Sequence, residues 1–146
     1  MYKTLLPILL STLLGTTLNA NTVISDKKQH IYWQDTVLPK KKNTKDWDDA
    51  NAYCKRLSLN GMENWRVPTF TELLSIVDYT QADPAINPVF THVAEGTYWT
   101  ATDFSSTRSR AWTVDFRTGK TFYSYKTTNH AVRCVADFPT DIKDEK

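Results

Sequence analysis

Trp47-Asp48-Asp49-Ala50-Asn51-Ala52-Tyr53-Cys54-Lys55-Arg56-Leu57-Ser58-Leu59-Asn60-Gly61-Met62-Glu63-Asn64-Trp65-Arg66-Val67-Pro68 is the stretch whose reading decides the fold. Trp47, Ala50, Cys54 and Leu57 recur at helical spacing and share one face, so the pattern predicts a first helix over residues 46–59. Asp48 and Asp49 fall in its first turn, where carboxylates complement the positive end of the helix dipole. Asn60-Gly61 offers the left-handed stop favoured at a helix C-terminus. Trp65-Arg66-Val67-Pro68 then reads as a corner into a second helix. That helix is capped by Thr69 with Glu72 at capping-box spacing, and buries Phe70, Leu73, Leu74, Ile76 and Val77.

Working outward, residues 1–20 read as a secretory signal peptide. The start is short and basic, an apolar run of leucines follows, and Leu18-Asn19-Ala20 provides a small-residue cleavage site. The run is too short to span a bilayer comfortably, and no later segment is apolar enough to cross a membrane. Removal of residues 1–20 leaves 126 of the 146, which is one ordinary domain. The mature charge is near +1, with 17 basic residues against 16 acidic once Lys3 is gone. That balance gives no footprint for duplex nucleic acid.

Cys54 and Cys134 are the two cysteines, and in an exported chain two cysteines pair. Closing a loop of this length stabilises by about 4.5 kcal/mol on the chain-entropy estimate. Residues 21–29 read as a flexible lead-in, and the lysines at 40–42 as a solvated loop. The pattern gives strands at residues 31–35, 97–102, 111–117, 120–126 and 131–136, with Thr118-Gly119 turning one hairpin. In the third of these, Trp112, Val114 and Phe116 share a face. Residues 78–88, with Pro84 and Pro88, read as an irregular loop that returns through Val89-Phe90 to the core. Residues 139–146 read as a disordered tail. Two N-terminal helices, an antiparallel sheet and one disulfide define an α+β domain over residues 30–138.

The ordered set Trp33, Trp47, Ala50, Cys54, Leu57, Gly61, Trp65-Arg66-Val67-Pro68, Glu72-Leu73, Asp78, Pro84, Ile86, Phe90 and Tyr98-Trp99-Thr100 resembles the Lcl C-terminal domain family. Ala111-Trp112, Val114, Phe116, Gly119 and Val132-Arg133-Cys134-Val135 complete the set. The resemblance implies a C-type-lectin-like fold, distantly related to the formylglycine-generating sulfatase-modifying enzymes. It also implies that the two cysteines occupy structural positions, unlike the reactive pair of those enzymes. For one kind of member, the terminal domain of a collagen-like adhesin, it implies binding to sulfated glycosaminoglycans in adhesion. No Gly-x-y collagen tract occurs in this chain.

Metal-ligand spacing is absent, since His30, His92 and His130 are scattered singly. No metal or other cofactor is therefore expected; the oxygen ligands on offer for calcium are Asp78, Asp83 and Asn87 in the irregular loop. No nucleophile elbow or phosphate loop occurs, and an Asp115–His130 dyad would need the fold to join two distant positions. The chain thus reads as non-catalytic, with a metal-dependent enzyme as the weakest alternative. Trp65 and Arg66 admit a ligand platform or a structural corner; the capped helix that follows at once favours the corner, and Trp47, Pro68, Trp99, Trp112 and Arg133 join them as framework. The binding residues are sought later in the chain. Arg108 and Arg110 sit in a polar loop, Arg117, Lys120 and Lys126 flank the next hairpin, and Tyr123 and Tyr125 share one of its faces. Cations beside aromatic rings suit an anionic, sulfated or carboxylated glycan. The expected partner is such a glycan or a cell-envelope protein, met in the periplasm or at the cell surface. The alternative is an envelope protein-interaction domain with no glycan.

Overall fold

A computed structural model describes residues 22–36, 44–94 and 96–140. The leader at 1–20, the lysines at 40–42 and most of the charged tail lie outside the described residues. The elements run β1 (Thr22–Asp26), β2 (Ile31–Asp35), β3 (Thr44–Lys45), α1 (Trp47–Arg56), α2 (Phe70–Ser75), β4 (Thr97–Phe104), β5 (Thr107–Asp115), β6 (Lys120–Tyr125), β7 (His130–Ala131) and β8 (Val135–Asp137).

Two sheets form, ordered β1-β2-β8 and β3-β7-β4-β5-β6. The first is antiparallel, while β4 and β7 make a parallel pair within the second. The fold is α+β as the sequence predicts, but the expectation of one antiparallel sheet needs correction. The last strand expected at 131–136 is split, because Ala131 pairs with β4 while Val135 pairs with β2. The segment between them crosses from one sheet to the other. A second correction concerns the lead-in, since Thr22–Asp26 pairs in full register with β2. Polar composition hid this strand; its partner side carries Ile31 and Trp33, and Trp33 Nε1 donates to Asp26 Oδ2 at 3.4 Å.

Helix α1 starts where its sequence says, with Asp46 accepting from Asp49 N–H as the N-cap. It ends at Arg56, short of the expected Leu59, because Leu57 turns extended. Asn60 and Gly61 do not stop the helix. Both have positive φ and form the turn of a tight hairpin in which Leu59 and Met62 exchange backbone hydrogen bonds. This returns the chain so that Leu59 and Trp65 are both buried. The Thr69–Glu72 capping box of α2 is present.

The larger sheet separates two cores. On one face α2 packs Leu73 and Ile76 against Tyr98, Val114 and Phe116, continuous with Ile31, Trp33 and Phe90. On the other, α1 packs Ala50 and Cys54 against Trp65, Trp99, Ala111 and Cys134. The alternation Tyr98/Trp99 divides these cores, as a pleated strand requires. Cys54 and Cys134 are bonded, with Cα atoms 5.6 Å apart, so α1 is stapled to the crossover between β7 and β8 rather than to a strand.

Candidate functional site

Residues expected to form a polar loop are instead mostly strand. The β4–β5 hairpin closes over Ser105 and Ser106, and Thr107 to Arg110 continue as β5. In the β5–β6 pairing Arg110 faces Tyr125 and Trp112 faces Tyr123. Cross-strand partners lie on one face, so these four side chains are grouped, while Arg108 precedes them in the irregular start of β5, where the β4–β5 register shifts. Phe104 stacks on Tyr123 with ring centroids 4.0 Å apart and meets Trp112 edge-on at 5.2 Å. Phe70 closes the other side of Trp112 at 5.2 Å. The Arg110 guanidinium lies 4.3 Å from the Tyr125 ring centroid and 5.4 Å from that of Tyr123. Its Nη2 donates to the Tyr125 hydroxyl.

The result is a cluster of Phe104, Trp112, Tyr123 and Tyr125 that extends the α2-covered face of the sheet out to its β6 edge, with a guanidinium fixed between two rings. Arg110 Nε has no hydrogen-bond partner among the described residues. Arg108 is exposed. Ring faces of this kind attract cations and C–H groups, while a guanidinium beside them donates hydrogen bonds to anionic oxygens.

The rest of the sequence-predicted set is dispersed. Lys120 lies opposite Asp115 in the backbone register of β5 and β6 and belongs, by alternation, to the opposite face of the sheet. Lys126 is on that opposite face too, where it pairs with Asp103 at 2.7 Å and sits 3.8 Å from the Trp47 ring centroid. Arg117 lies beyond the far end of β5, about 20 Å along the strand from Arg110. Its guanidinium pairs with Asp115 at 2.9 Å, and that contact together with the Arg117 N–H holds the Asp115 carboxyl below its ordinary range. Arg117 also lines an open pocket of about 290 Å³ with Asp83, Pro84, Val93, Ala94, Gly96 and Phe116.

The framework readings can be placed individually. Trp65 and Trp99 are buried, and Trp99 Nε1 donates to Lys45 O at 2.8 Å. Trp47 Nε1 donates to Thr100 O at 2.9 Å, and Pro68 is buried. Arg66 forks onto Glu72 and reaches Asp137, tying α2 to β8. Trp112 departs from the framework reading, because it is only half-buried and belongs to the aromatic face.

Arg133 is the centre of a network that the sequence reading did not assemble. It is buried, and its Nη1 donates to Gln34 O and to Asp35 Oδ1 at 3.0 Å. Its Nη2 donates to His92 O, and its guanidinium lies over Phe90. Asp35 is fully buried and accepts from Thr91 N–H, Thr91 Oγ1 and His92 N–H as well. Burial pushes its pKa up, but the hydrogen bonds from Thr91, His92 and Arg133 outweigh that and bring it down to about 2. A buried arginine announces a buried acid; which acid lay 98 positions away could not be read from spacing.

Asp78 and Asn87 are occupied in turns, accepting from Thr80 and Val89 respectively. Among the described residues no group of three His, Cys, Asp or Glu side chains could hold a metal ion. Asp115 and His130 are not joined: Asp115 holds Arg117, and His130 Nε2 contacts Ser124 Oγ while its ring meets Trp99 edge-on.

A disulfide-closed α+β domain of two sheets, with one aromatic face open to solvent, is thus the class of protein defined here. The chain belongs to the Lcl C-terminal domain family, whose model matches residues 22–136. The match begins at β1, in keeping with that strand's place in the sheet. No curated protein matches the chain. Among the described residues no helix is long and apolar enough to cross a membrane.

Proposed function

We propose that this is an exported, non-catalytic binding module of C-type-lectin-like type that recognises an anionic glycan through the β4–β5–β6 face. One observation carries the reading: Arg110 is held between Tyr123 and Tyr125 beside Phe104 and Trp112, with Arg108 exposed two residues before it on β5. A sugar ring stacks on such tyrosines, and a sulfate or carboxylate on it meets the guanidiniums by charge-assisted hydrogen bonds. The disulfide supports an oxidising compartment, periplasmic or extracellular. No metal is required for this mode.

Heparin retention tests it. Replacing Arg108 and Arg110 together by Ala should abolish retention at low salt, and replacing Tyr123 and Tyr125 by Ala should weaken it at every salt concentration. Retention of the parent should fall steeply as salt rises, because exposed charges are screened. Lys120→Ala, on the other face, should behave as the parent. Unchanged retention of the double arginine variant would discard the assignment.

A second reading has an observation of its own. Phe122, Tyr123 and Tyr125 are 50%, 47% and 54% exposed, large apolar side chains on both faces of one short strand. Exposed apolar side chains flanking a sheet edge on both sides fit a protein partner in the cell envelope. Capture of a partner that persists at high salt and is lost on Phe122→Ser would favour it.

A further inference from the structure

We propose that the free edge of β6 binds an extended acidic peptide segment as an added strand. β6 ends the five-stranded sheet, with β5 on one side and, among the described residues, no strand on the other. Lys126 N–H donates to Ser109 O at 2.9 Å, and these two residues are opposite in the β5–β6 register. Alternation in an antiparallel ladder then makes Lys120, Phe122 and Ser124 the residues whose backbone bonds β5. The N–H and C=O groups of Thr121 and Tyr123, and the N–H of Tyr125, point away from the sheet. The Tyr125 carbonyl is taken by Thr128 N–H at 2.8 Å. Among the described residues the others have no partner.

Natural edge strands are usually blunted by proline, by a bulge or by charge. β6 contains no proline, its pairing with β5 is unbroken over six residues, and it presents Phe122, Tyr123 and Tyr125 to solvent. Its one strong guard is charge, and that charge selects the occupant. The carboxylates on β4, β5 and β6 are Asp103 and Asp115, and each is already paired, with Lys126 and Arg117. Arg108, Arg110 and Lys120 have no carboxylate within salt-bridge distance among the described residues. A second copy of this chain would bring the same unpaired cations against them. An acidic strand would neutralise charge on both faces at once, Lys120 on one and Arg110 on the other, with Arg108 exposed nearby on β5. Main-chain pairing would supply affinity, and the aromatic side chains would receive alternate side chains of the peptide. This goes beyond the glycan reading and does not depend on it.

The test uses a blocked synthetic octapeptide of alternating glutamate and valine, titrated into isotopically labelled protein and followed by amide NMR. The Thr121, Tyr123 and Tyr125 amides should shift and gain protection from exchange. N-methylation of alternate peptide amides should weaken binding about tenfold or more, since it removes main-chain donors and leaves the charge. Thr121→Pro, which removes an outward N–H and spares the β5 ladder, should weaken the parent peptide likewise. A lysine–valine peptide should not bind. Equal affinity for the N-methylated peptide would overturn the proposal, because it would reduce the contact to side-chain charge. Protection of the same amides that grows with protein concentration in the absence of peptide would also overturn it, in favour of a second copy.

Discussion

Asp35 shows most directly how single residues govern this molecule. Its carboxylate is fully buried and receives hydrogen bonds from Thr91, His92 and Arg133, which bring its pKa to about 2 in spite of desolvation. Asp35→Ala strands the Arg133 guanidinium in the core, and the expected loss is about 3–5 kcal/mol. Urea denaturation at neutral pH measures it; a loss under about 1 kcal/mol would mean that water replaces the carboxylate at little cost. The same residue sets an acid limit. Its folded pKa is depressed, so its contribution is complete above the unfolded value of about 4 and disappears as the pH falls through about 2. Glu72, Asp115 and Asp137 are shifted downward as well: burial raises Glu72, but bonds from Arg66 and Thr69 prevail, while Arg117 lowers Asp115 and Arg66 lowers Asp137. Stability should therefore fall between about pH 4 and pH 2, and the fall should be shallower in the Asp35→Asn variant. An acid titration followed by tryptophan fluorescence distinguishes the two curves. Arg133 could be recognised as framework from its sequence, yet its acid could not, because the residues meet only when β2 and the crossover to β8 are packed together.

Elements are held by caps, turns and a few bridging side chains. The Thr69 hydroxyl accepts from Glu72 N–H, and the Glu72 carboxylate returns the bond to Thr69 N–H. Thr69→Ala should cost about 1 kcal/mol by thermal unfolding. Arg66→Lys keeps the charge and loses the fork that engages Glu72 and Asp137 together, so it should loosen the α2–β8 junction. A rise in amide exchange confined to α2 and β8 would show this; exchange unchanged in both would count against the junction. Gly119 occupies φ +74 in the β5–β6 turn, and a Cβ there would lie 2.8 Å from both Tyr79 Cε1 and Val77 Cγ1. Gly119→Ala combines backbone strain with that clash, and a loss of about 2 kcal/mol or more is expected in urea melts. The capping box and the Thr118-Gly119 turn were legible because local chemistry decides them. The Asn60-Gly61 turn was misread as a helix stop because both uses need the same positive φ. Which one occurs depends on where Leu59 and Trp65 find the core.

At the scale of the whole molecule, one covalent link joins the two ends of the domain. Replacing Cys54 and Cys134 together by Ser should cost about 2–5 kcal/mol, read as a lower urea midpoint with an unchanged heparin elution position. A lost heparin interaction in the still-folded variant would place the disulfide closer to the binding face than the structure does. The sequence by itself determined the α+β class, both helices, the disulfide and the family, because these rest on local periodicity, capping chemistry and pairs of residues with no alternative partner. Only the tertiary structure decided that there are two sheets, that β1 belongs to one of them, and that residues 131–136 cross between them. It also divided the predicted binding set, collecting Arg110, Tyr123 and Tyr125 on one face, leaving Arg108 exposed at the irregular start of β5, and sending Lys120, Lys126 and Arg117 elsewhere. The physical reason is the pleat. One residue of register exchanges the two faces of a strand, and register is fixed by the packing of distant partners, which no local pattern contains.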